Sequence, residues 1–135
     1  MKNIVNIVPF SRTGGITRFS LQRRDEHAET RPNLLGLWGG EKEGDEDDGA
    51  ALLREVGEEL EGFKLEDYFF LGVYADPYSI KKVYAQKVPL DFLKNVVIHE
   101  GKDGGFLNLA EIESSDEITN EEKEIFRDLL KKIYS

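Results

Sequence analysis

The segment that most constrains this chain is residues 39–63, GGEKEGDEDDGAALLREVGEELEGF, which predicts one amphipathic helix with an acidic edge. Asp47 and Asp48 favour the start of the helix, because carboxylates accept hydrogen bonds from its free N–H groups and suit its positive dipole end. Gly62 predicts the end of the helix. At about 100° per residue, four apolar residues share one arc and form the predicted buried face: Leu52, Leu53, Val56 and Leu60.

Three glutamates adjoin this apolar face near the end of the helix: Glu55, Glu58 and Glu59. Like charges at this spacing repel by about 0.2–0.5 kcal/mol per pair, and an acid at a helix C-terminus opposes the dipole by about 0.3–1 kcal/mol. Arg54 offsets part of this repulsion, for instance by pairing with Glu58. The pattern suits either a solvated acidic face or a divalent cation site, because such a cation binds carboxylate oxygens and removes the conflict.

The segment resembles the Nudix box, written G-x5-E-x7-R-E-U-x-E-E-x-G-U with U an aliphatic residue. Between Gly40 and Gly62, seven positions stand in register: Gly40, Glu46, Arg54, Glu55, Val56, Glu58 and Glu59. The departure is at the end, where Glu61 replaces the last glycine and Gly62 the last aliphatic residue. The resemblance implies a Nudix hydrolase of the α/β class, an α/β/α sandwich whose mixed β-sheet lies between the box helix and a C-terminal helix.

The same resemblance implies a site for Mg2+ or Mn2+, whose ligands are the Gly39 carbonyl and the carboxylates of Glu55, Glu58, Glu59 and Glu100. Glu100 is included by position, because it stands in a Glu-Gly pair ahead of a loop at residues 102–105 and a hydrophobic strand at 106–109. Either Glu55 or Glu100 takes the proton from water in this scheme, and the sequence leaves that choice open. Arg54 is expected to pair with Glu46 and to orient the helix glutamates.

Further candidates lie ahead of the box. Residues 17–24 alternate and predict a half-buried strand, with Gln22 on its polar face. Arg23 and Arg24, at the end of this strand, suit either forked hydrogen bonds to a substrate phosphate or a role in offsetting the acidic helix. His27, in a polar loop at residues 25–33, is interpreted as exposed rather than as a general base. Trp38 is expected to pack against the box helix.

The rest of the chain predicts one domain, residues 1–135, without repeats or linkers. Extended segments are predicted at residues 4–10, 34–38, 68–75, 82–88 and 93–99. Thr119 and Glu122 form a capping-box pattern that opens a last helix. The apolar face of that helix comprises Ile125, Phe126, Leu129, Leu130 and Ile133.

Composition excludes several classes of function. A net charge of −9 argues against a broad surface for polymeric nucleic acid or an anionic membrane. The chain has no cysteine, which removes disulfides, thiolate metal sites and cysteine nucleophiles. The start MKNIVNIVPF lacks the cleavage pattern of a signal peptide, so a cytoplasmic location is expected. The oligomeric state stays open, a homodimer included.

The sequence therefore predicts an Mg2+-dependent pyrophosphohydrolase acting on a nucleoside diphosphate linked to another group. A small single domain favours nucleoside or deoxynucleoside triphosphates, oxidised purine forms included, which would give a monophosphate and pyrophosphate. One alternative is a hydrolase of nucleotide sugars or ADP-ribose. Another is a Nudix module that binds nucleotides without cleaving them, although the complete glutamate set argues against it.

Overall fold

A computed structural model describes residues 1–134, and within them four strands precede the first helix and five more precede the last two helices. The strands are β1 (Lys2–Thr13), β2 (Ile16–Arg23), β3 (Leu35–Gly36), β4 (Trp38–Glu41), β5 (Leu60–Glu61), β6 (Phe69–Ala75), β7 (Ser79–Lys87), β8 (Val97–Ile98) and β9 (Lys102–Leu107). The helices are α1 (Asp48–Glu59), α2 (Leu109–Ser114) and α3 (Asn120–Ile133). No helix in this part of the chain has the length and apolarity that a membrane crossing requires.

Most strands join one mixed sheet with the order β3-β2-β1-β7-β6. Strand β1 runs antiparallel to β2 and parallel to β7. Off this path, β4 pairs with β1 and β9 pairs with β2. The short strands β5 and β8 form a separate antiparallel ladder beside the end of α1. This ladder and β9 bring the segment around Glu100 next to the box helix.

Strand β1 shows how the layers are built, because successive side chains of a strand point to opposite faces. Val5 and Ile7 pack in a buried cluster with Leu52 and Val56 of α1. Val8 and Phe10, on the other face, pack in a second cluster with the apolar side of α3. The sheet therefore lies between the box helix and the C-terminal helix, which confirms the predicted α/β/α sandwich.

Helix α1 begins as predicted and ends earlier. The Asp47 carboxylate accepts a hydrogen bond from the Ala50 N–H at 2.7 Å and caps the helix. The predicted end at Gly62 is wrong: the helix stops at Glu59, because Leu60 and Glu61 pair with β8 instead.

The buried face of α1 also differs from the prediction. It includes Ala51 and Glu59, whereas Leu53 is 65% exposed. The helix is rotated so that the edge bearing Glu59 meets the sheet, and Leu53 falls on the opposite side of the apolar arc.

Other elements differ from the prediction in instructive ways. Residues 102–105, expected to be a loop, belong to β9 and pair with β2. In the segment 93–99, residues 93–95 form a turn and only Val97–Ile98 lie in a strand. Helix α2 was not predicted, although Asn108 and Glu111 form a complete capping box.

Thr119 caps α3, but the Glu122 carboxylate pairs with Arg31 and Lys81 instead of completing the capping box predicted there.

Candidate active site

Strand β4 passes directly over the glutamate edge of α1, and glycines allow this close approach. Gly39 has a φ of +134°, and a Cβ added there would lie 2.1 Å from the Val5 carbonyl oxygen. A Cβ added to Gly40 would lie 2.3 Å from an oxygen of Glu55. Only glycine fits both positions without displacement of a neighbour. The backbone of β4 is therefore one wall of the site.

Glu59 is the most deeply buried glutamate of the box, with 2% of its surface exposed. Its Oε1 accepts a hydrogen bond from the Gly39 N–H at 2.8 Å, and its Oε2 accepts one from Nε2 of Gln22 at 2.9 Å. Burial raises the pKa of Glu59 to about 8, and the negative charges of Glu100 and Glu55 add to the rise, against the effect of both hydrogen bonds. The fold therefore holds this acid where its ionised form is disfavoured.

Glu55 lies next to Glu59 on the side of Gly40, with 12% of its side chain exposed. Its Oε1 accepts a hydrogen bond from Nη1 of Arg54 at 2.9 Å. Burial raises the pKa of Glu55, Arg54 opposes the rise, and the charges of Glu58 and Glu100 add to it. Glu55 and Glu59 thus share two features, burial and repulsion by the neighbouring Glu100.

Arg54 and Glu46 form the predicted pair in forked geometry. Nε and Nη2 of Arg54 donate to the two Glu46 oxygens at 2.8 and 2.9 Å, and Nη2 also donates to the Glu41 carbonyl at 3.0 Å. The Arg54 hydrogen bond, with help from the Glu43 N–H, lowers the pKa of Glu46 to about 2. The remaining nitrogen, Nη1, faces the helix glutamates. Arg54 therefore ties the loop before α1 to the acidic edge of the helix.

The last two predicted glutamates lie at the edges of the cleft. Glu58 is on the rim, with 60% of its side chain exposed, and lies 3.5 Å from Nη1 of Arg54. Glu100 lies across the cleft, where its backbone carbonyl accepts a hydrogen bond from Nε2 of Gln22 at 2.8 Å. Across residues 1–134, no three acidic or histidine side chains already surround a single metal position.

A cavity of about 320 Å³ opens beside Glu100. It is lined by Gln22, Arg24, Asp25, His27, Ala28, Glu29, Glu100 and Gly101. Within the described part of the chain, its lining includes no Phe, Tyr or Trp. Hydrogen bonds hold Arg24 in the cavity wall, because its Nε donates to the Thr30 carbonyl at 2.8 Å and its Nη2 to the Thr30 hydroxyl at 3.2 Å. The cavity is polar and carries charges of both signs.

The structure separates the two arginines that the sequence grouped together. Arg24 lines the cavity, whereas Arg23 donates to the Glu117 carboxylate at 2.7 Å and to the Asn33 carbonyl at 2.7 Å. The Glu117 hydrogen bond raises the pKa of Arg23. Arg23 is thus occupied in holding the loop between β2 and β3 against the segment before α3. Of the two arginines, Arg24 is the one that lines the cavity.

Gln22 is the residue that sequence reasoning missed. Its place on the polar face of β2 predicted exposure, yet only 4% of it is exposed. The same face carries Ser20, whose hydroxyl accepts a hydrogen bond from Nε1 of the fully buried Trp38 at 3.1 Å. Trp38 packs with α1, as expected. The polar face of β2 is therefore buried under the box helix, a placement that strand alternation alone does not reveal.

Glu61, which stands where the box has its last glycine, has a local partner. Its carboxylate lies 2.7 Å from Nε2 of His99 across the ladder of β5 and β8. The His99 N–H donates to the Glu59 carbonyl at 2.8 Å. The departure from the box is therefore accommodated in the ladder that follows α1, outside the glutamate cleft.

Comparison with known protein families and with curated protein sequences gives no match. Solved structures do match. A MutT protein from Methanosarcina mazei Go1 has a TM-score of 0.77 at 20% identity, covering 99% of this chain and 96% of its own. The NUDIX domain of Shewanella oneidensis NrtR, complexed with ADP ribose, has a TM-score of 0.74 at 15% identity, with 98% and 88% covered. A C. elegans Ap4A hydrolase has 0.69 at 18% identity, with 99% and 98% covered.

At sequence identities of 15–20%, the similarity to these structures shows the fold of this chain and nothing finer. The architecture expected from the sequence is confirmed by structures that differ from this chain at four-fifths or more of the aligned positions.

Proposed function

We propose that this chain, which has the Nudix fold, hydrolyses a phosphoanhydride bond in nucleoside diphosphates linked to another group, with Mg2+ or Mn2+ as cofactor. One observation carries the proposal: Glu59 is buried against the glycine wall, with its pKa raised to about 8 beside Glu55 and Glu100. Burying an acid among like charges opposes folding unless a positive ligand compensates. A binding function for the cluster explains why the fold accepts this arrangement.

The donor set fits a hard divalent cation, because every candidate ligand is an oxygen atom. The residues proposed to hold it are Gly39, through its carbonyl, and Glu55, Glu58, Glu59 and Glu100. A cation bound there would neutralise charge on the phosphoryl oxygens and lower the pKa of a bound water. The exposure of Glu58 leaves its carboxylate free to turn into the cleft.

The protein's own groups supply orientation and proton transfer. Arg54, fixed by Glu46, holds Glu55 in place, and the Gly39 N–H holds Glu59. Either Glu55 or Glu100 accepts the proton from the attacking water, and both stay candidates for the general base. Arg24 is proposed to contact the substrate through its guanidinium, which suits phosphate oxygens.

For the substrate we propose two candidates. The first is a nucleoside or deoxynucleoside triphosphate, oxidised purines included, which suits a small single domain. The second is a nucleotide sugar or ADP-ribose, and the cavity favours it. Asp25 and Glu29 in the cavity wall can accept hydrogen bonds from sugar hydroxyls.

A substrate panel tests the proposal. Purified protein is incubated with dGTP, 8-oxo-dGTP, ADP-ribose and UDP-glucose, in Mg2+ and in EDTA, and nucleoside monophosphate is quantified by chromatography. Turnover of the triphosphates, lost in EDTA, supports the first substrate class, and turnover of the two sugar compounds supports the second. Saturable binding without product would instead indicate a binding module, and neither binding nor turnover would overturn the proposal.

A small-molecule nucleotide is the partner that this proposal requires, and it involves neither polymeric nucleic acid nor a membrane. The cytoplasmic location stays a prediction, and the oligomeric state, a homodimer included, stays open. Light scattering on the purified protein measures its assembly state directly.

A further inference from the structure

Gln22 connects the two sides of the cleft through a single amide group. Its Nε2 donates to Oε2 of Glu59 at 2.9 Å and to the backbone carbonyl of Glu100 at 2.8 Å. A side-chain amide carries two N–H donors, so both are used here. One acceptor belongs to α1 and the other to the segment between β8 and β9. Nε2 is therefore a bridge between elements far apart in sequence.

The backbone at Glu100 packs directly on this bridge. Gly101 has a φ of +71°, and a Cβ added there would lie 2.8 Å from Nε2 of Gln22 and 2.7 Å from the Arg23 carbonyl oxygen. The chain beside Glu100 is thus in close contact with both the side chain of Gln22 and the backbone of β2. The position of Gln22 sets how near Glu100 stands to the helix glutamates.

We propose that Gln22 is a positioning residue that fixes the separation of Glu59 and Glu100 and so raises the affinity of the cleft for a divalent cation. This inference rests on the proposed function, because it assumes that these two acids share a metal site. Partners that hydrogen-bond to metal ligands hold those ligands in the binding geometry, and their loss typically weakens metal affinity by about 10–100-fold. Gln22 is buried among fixed elements, so it can hold such a geometry.

A buried glutamine could also serve stability alone, and Gln86 provides the matched control. Gln86 is 3% exposed, its Nε2 donates to the Lys64 carbonyl at 3.0 Å, and its Oε1 accepts from the Glu66 N–H at 3.1 Å. Gln86 therefore ties β7 to the single segment of Lys64 and Glu66 through two hydrogen bonds, and neither partner is one of the proposed metal ligands. The variants Gln22→Met and Gln86→Met remove a similar bridge at similar volume.

The experiment measures Mn2+ binding in the absence of nucleotide, through the electron paramagnetic resonance signal of free Mn2+. Wild type, Q22M and Q86M are compared, with thermal unfolding measured alongside. We expect Q22M to bind Mn2+ about tenfold or more weakly than wild type and Q86M to bind within about twofold of it, while both lose thermal stability. Equal Mn2+ affinity in Q22M and wild type would overturn the proposed role of Gln22 and would leave the proposed function unaffected.

A measurement on wild type keeps the inference testable if Q22M does not fold. In 15N-labelled protein, the side-chain amide signals of Gln22 should shift during an Mg2+ titration, while those of Gln86 stay in place. Gln22 signals that do not move at saturating Mg2+ would contradict the inference. Absence of any Mn2+ or Mg2+ binding by wild type would overturn the proposed function, and this inference with it.

Discussion

Two residues of α1, Glu59 and Leu53, differ in burial from the prediction. The glutamate is buried against the sheet, whereas the leucine is 65% exposed. The Gly39 N–H and the Gln22 amide each donate a hydrogen bond to one oxygen of the Glu59 carboxyl group, and these bonds offset only part of the cost of burying its charge. Because burial still opposes ionisation of Glu59, the stability of the folded protein depends on pH through this residue.

Without metal, Glu59 should make stability fall as pH rises. Its folded-state pKa of about 8 lies above the ordinary value of 4.5, so over this interval the folded protein retains a proton that the unfolded chain releases. The stabilising contribution is full below pH 4.5 and is lost as pH rises through about 8. At about 1.4 kcal/mol per pKa unit, the change amounts to a few kcal/mol.

Glu59→Gln measures this effect. Urea unfolding in EDTA at pH 5 and pH 8 should show wild type losing stability between the two values and the variant losing much less. The glutamine keeps one acceptor oxygen for two donors, so the variant can be less stable at pH 5. A parallel loss in both proteins would show that Glu59 is ionised throughout.

Glu58→Gln tests a proposed metal ligand whose side chain contributes little to the free energy of unfolding. Its side chain is 60% exposed, so the free energy of unfolding should change by no more than about 0.5 kcal/mol. Turnover of the substrate found in the panel should fall about 100-fold or more, because the variant removes a proposed metal ligand. Glu66→Gln, at 61% exposure and away from the cleft, is the control and should keep its activity. Equal activity of E58Q and wild type would exclude Glu58 from the metal site.

Sequence spacing predicts that these acids share one edge of the helix, but it does not reveal their surroundings. The periodicity of one helix places Glu55, Glu58 and Glu59 on a common edge without knowledge of the rest of the chain. Gln22 could not be found in this way, because its burial depends on which layer covers β2. Arg23 and Arg24 are neighbours in sequence, but the side chain of Arg23 pairs with Glu117 whereas that of Arg24 lines the cavity. Only the structure separates these two environments.

At the scale of elements, the site depends on how closely β4 approaches α1. Gly40→Ala should act on Glu55 rather than on folding, since the added Cβ would lie 2.3 Å from a carboxylate oxygen at the flexible end of that side chain. We expect turnover to fall about 10- to 100-fold, as misplacement of a catalytic group typically does. The free energy of unfolding should stay within about 1 kcal/mol of wild type.

Gly57→Ala is the matched control for this glycine. Gly57 lies in α1, and a Cβ added there meets nothing within 4 Å. The variant should gain about 0.5–1 kcal/mol in unfolding free energy, because alanine favours a helix interior, and should keep wild-type turnover. Equal loss of activity in G40A and G57A would contradict the proposal, because only Gly40 has a contact with the side chain of Glu55 to disturb.

The elements themselves were predictable where a local signal is strong. Capping by Asp47 and Thr119 and the apolar periodicity of α3 depend on neighbouring residues, and they are found as expected. Residues 102–105 of β9 were predicted to be a loop because their glycines suggest flexibility, yet pairing with β2 holds them in the strand. The early end of α1 also depends on a distant strand, β8. Long-range pairing therefore accounts for both of these errors.

At the scale of the whole molecule, the acidic cleft adds to a net charge of −9. Divalent cations should therefore stabilise this protein beyond any effect of ionic strength. A ligand that binds only the folded state adds RT ln(1 + [L]/Kd), about 2.7 kcal/mol at a hundred times Kd. For a chain of 135 residues this corresponds to a rise in Tm of roughly 5 to 20 °C.

The measurement is thermal unfolding in MgCl2 against NaCl at matched ionic strength and at pH 8, where Glu59 is half ionised and a bound cation completes its ionisation. The shift should be larger at pH 8 than at pH 5, because at the lower pH the cation must displace a proton from Glu59. E58Q should lose most of the shift, and E66Q should keep it. If NaCl gave the same shift as MgCl2, the stabilisation would be screening of the net charge, and the glutamates would have no specific role in binding a cation.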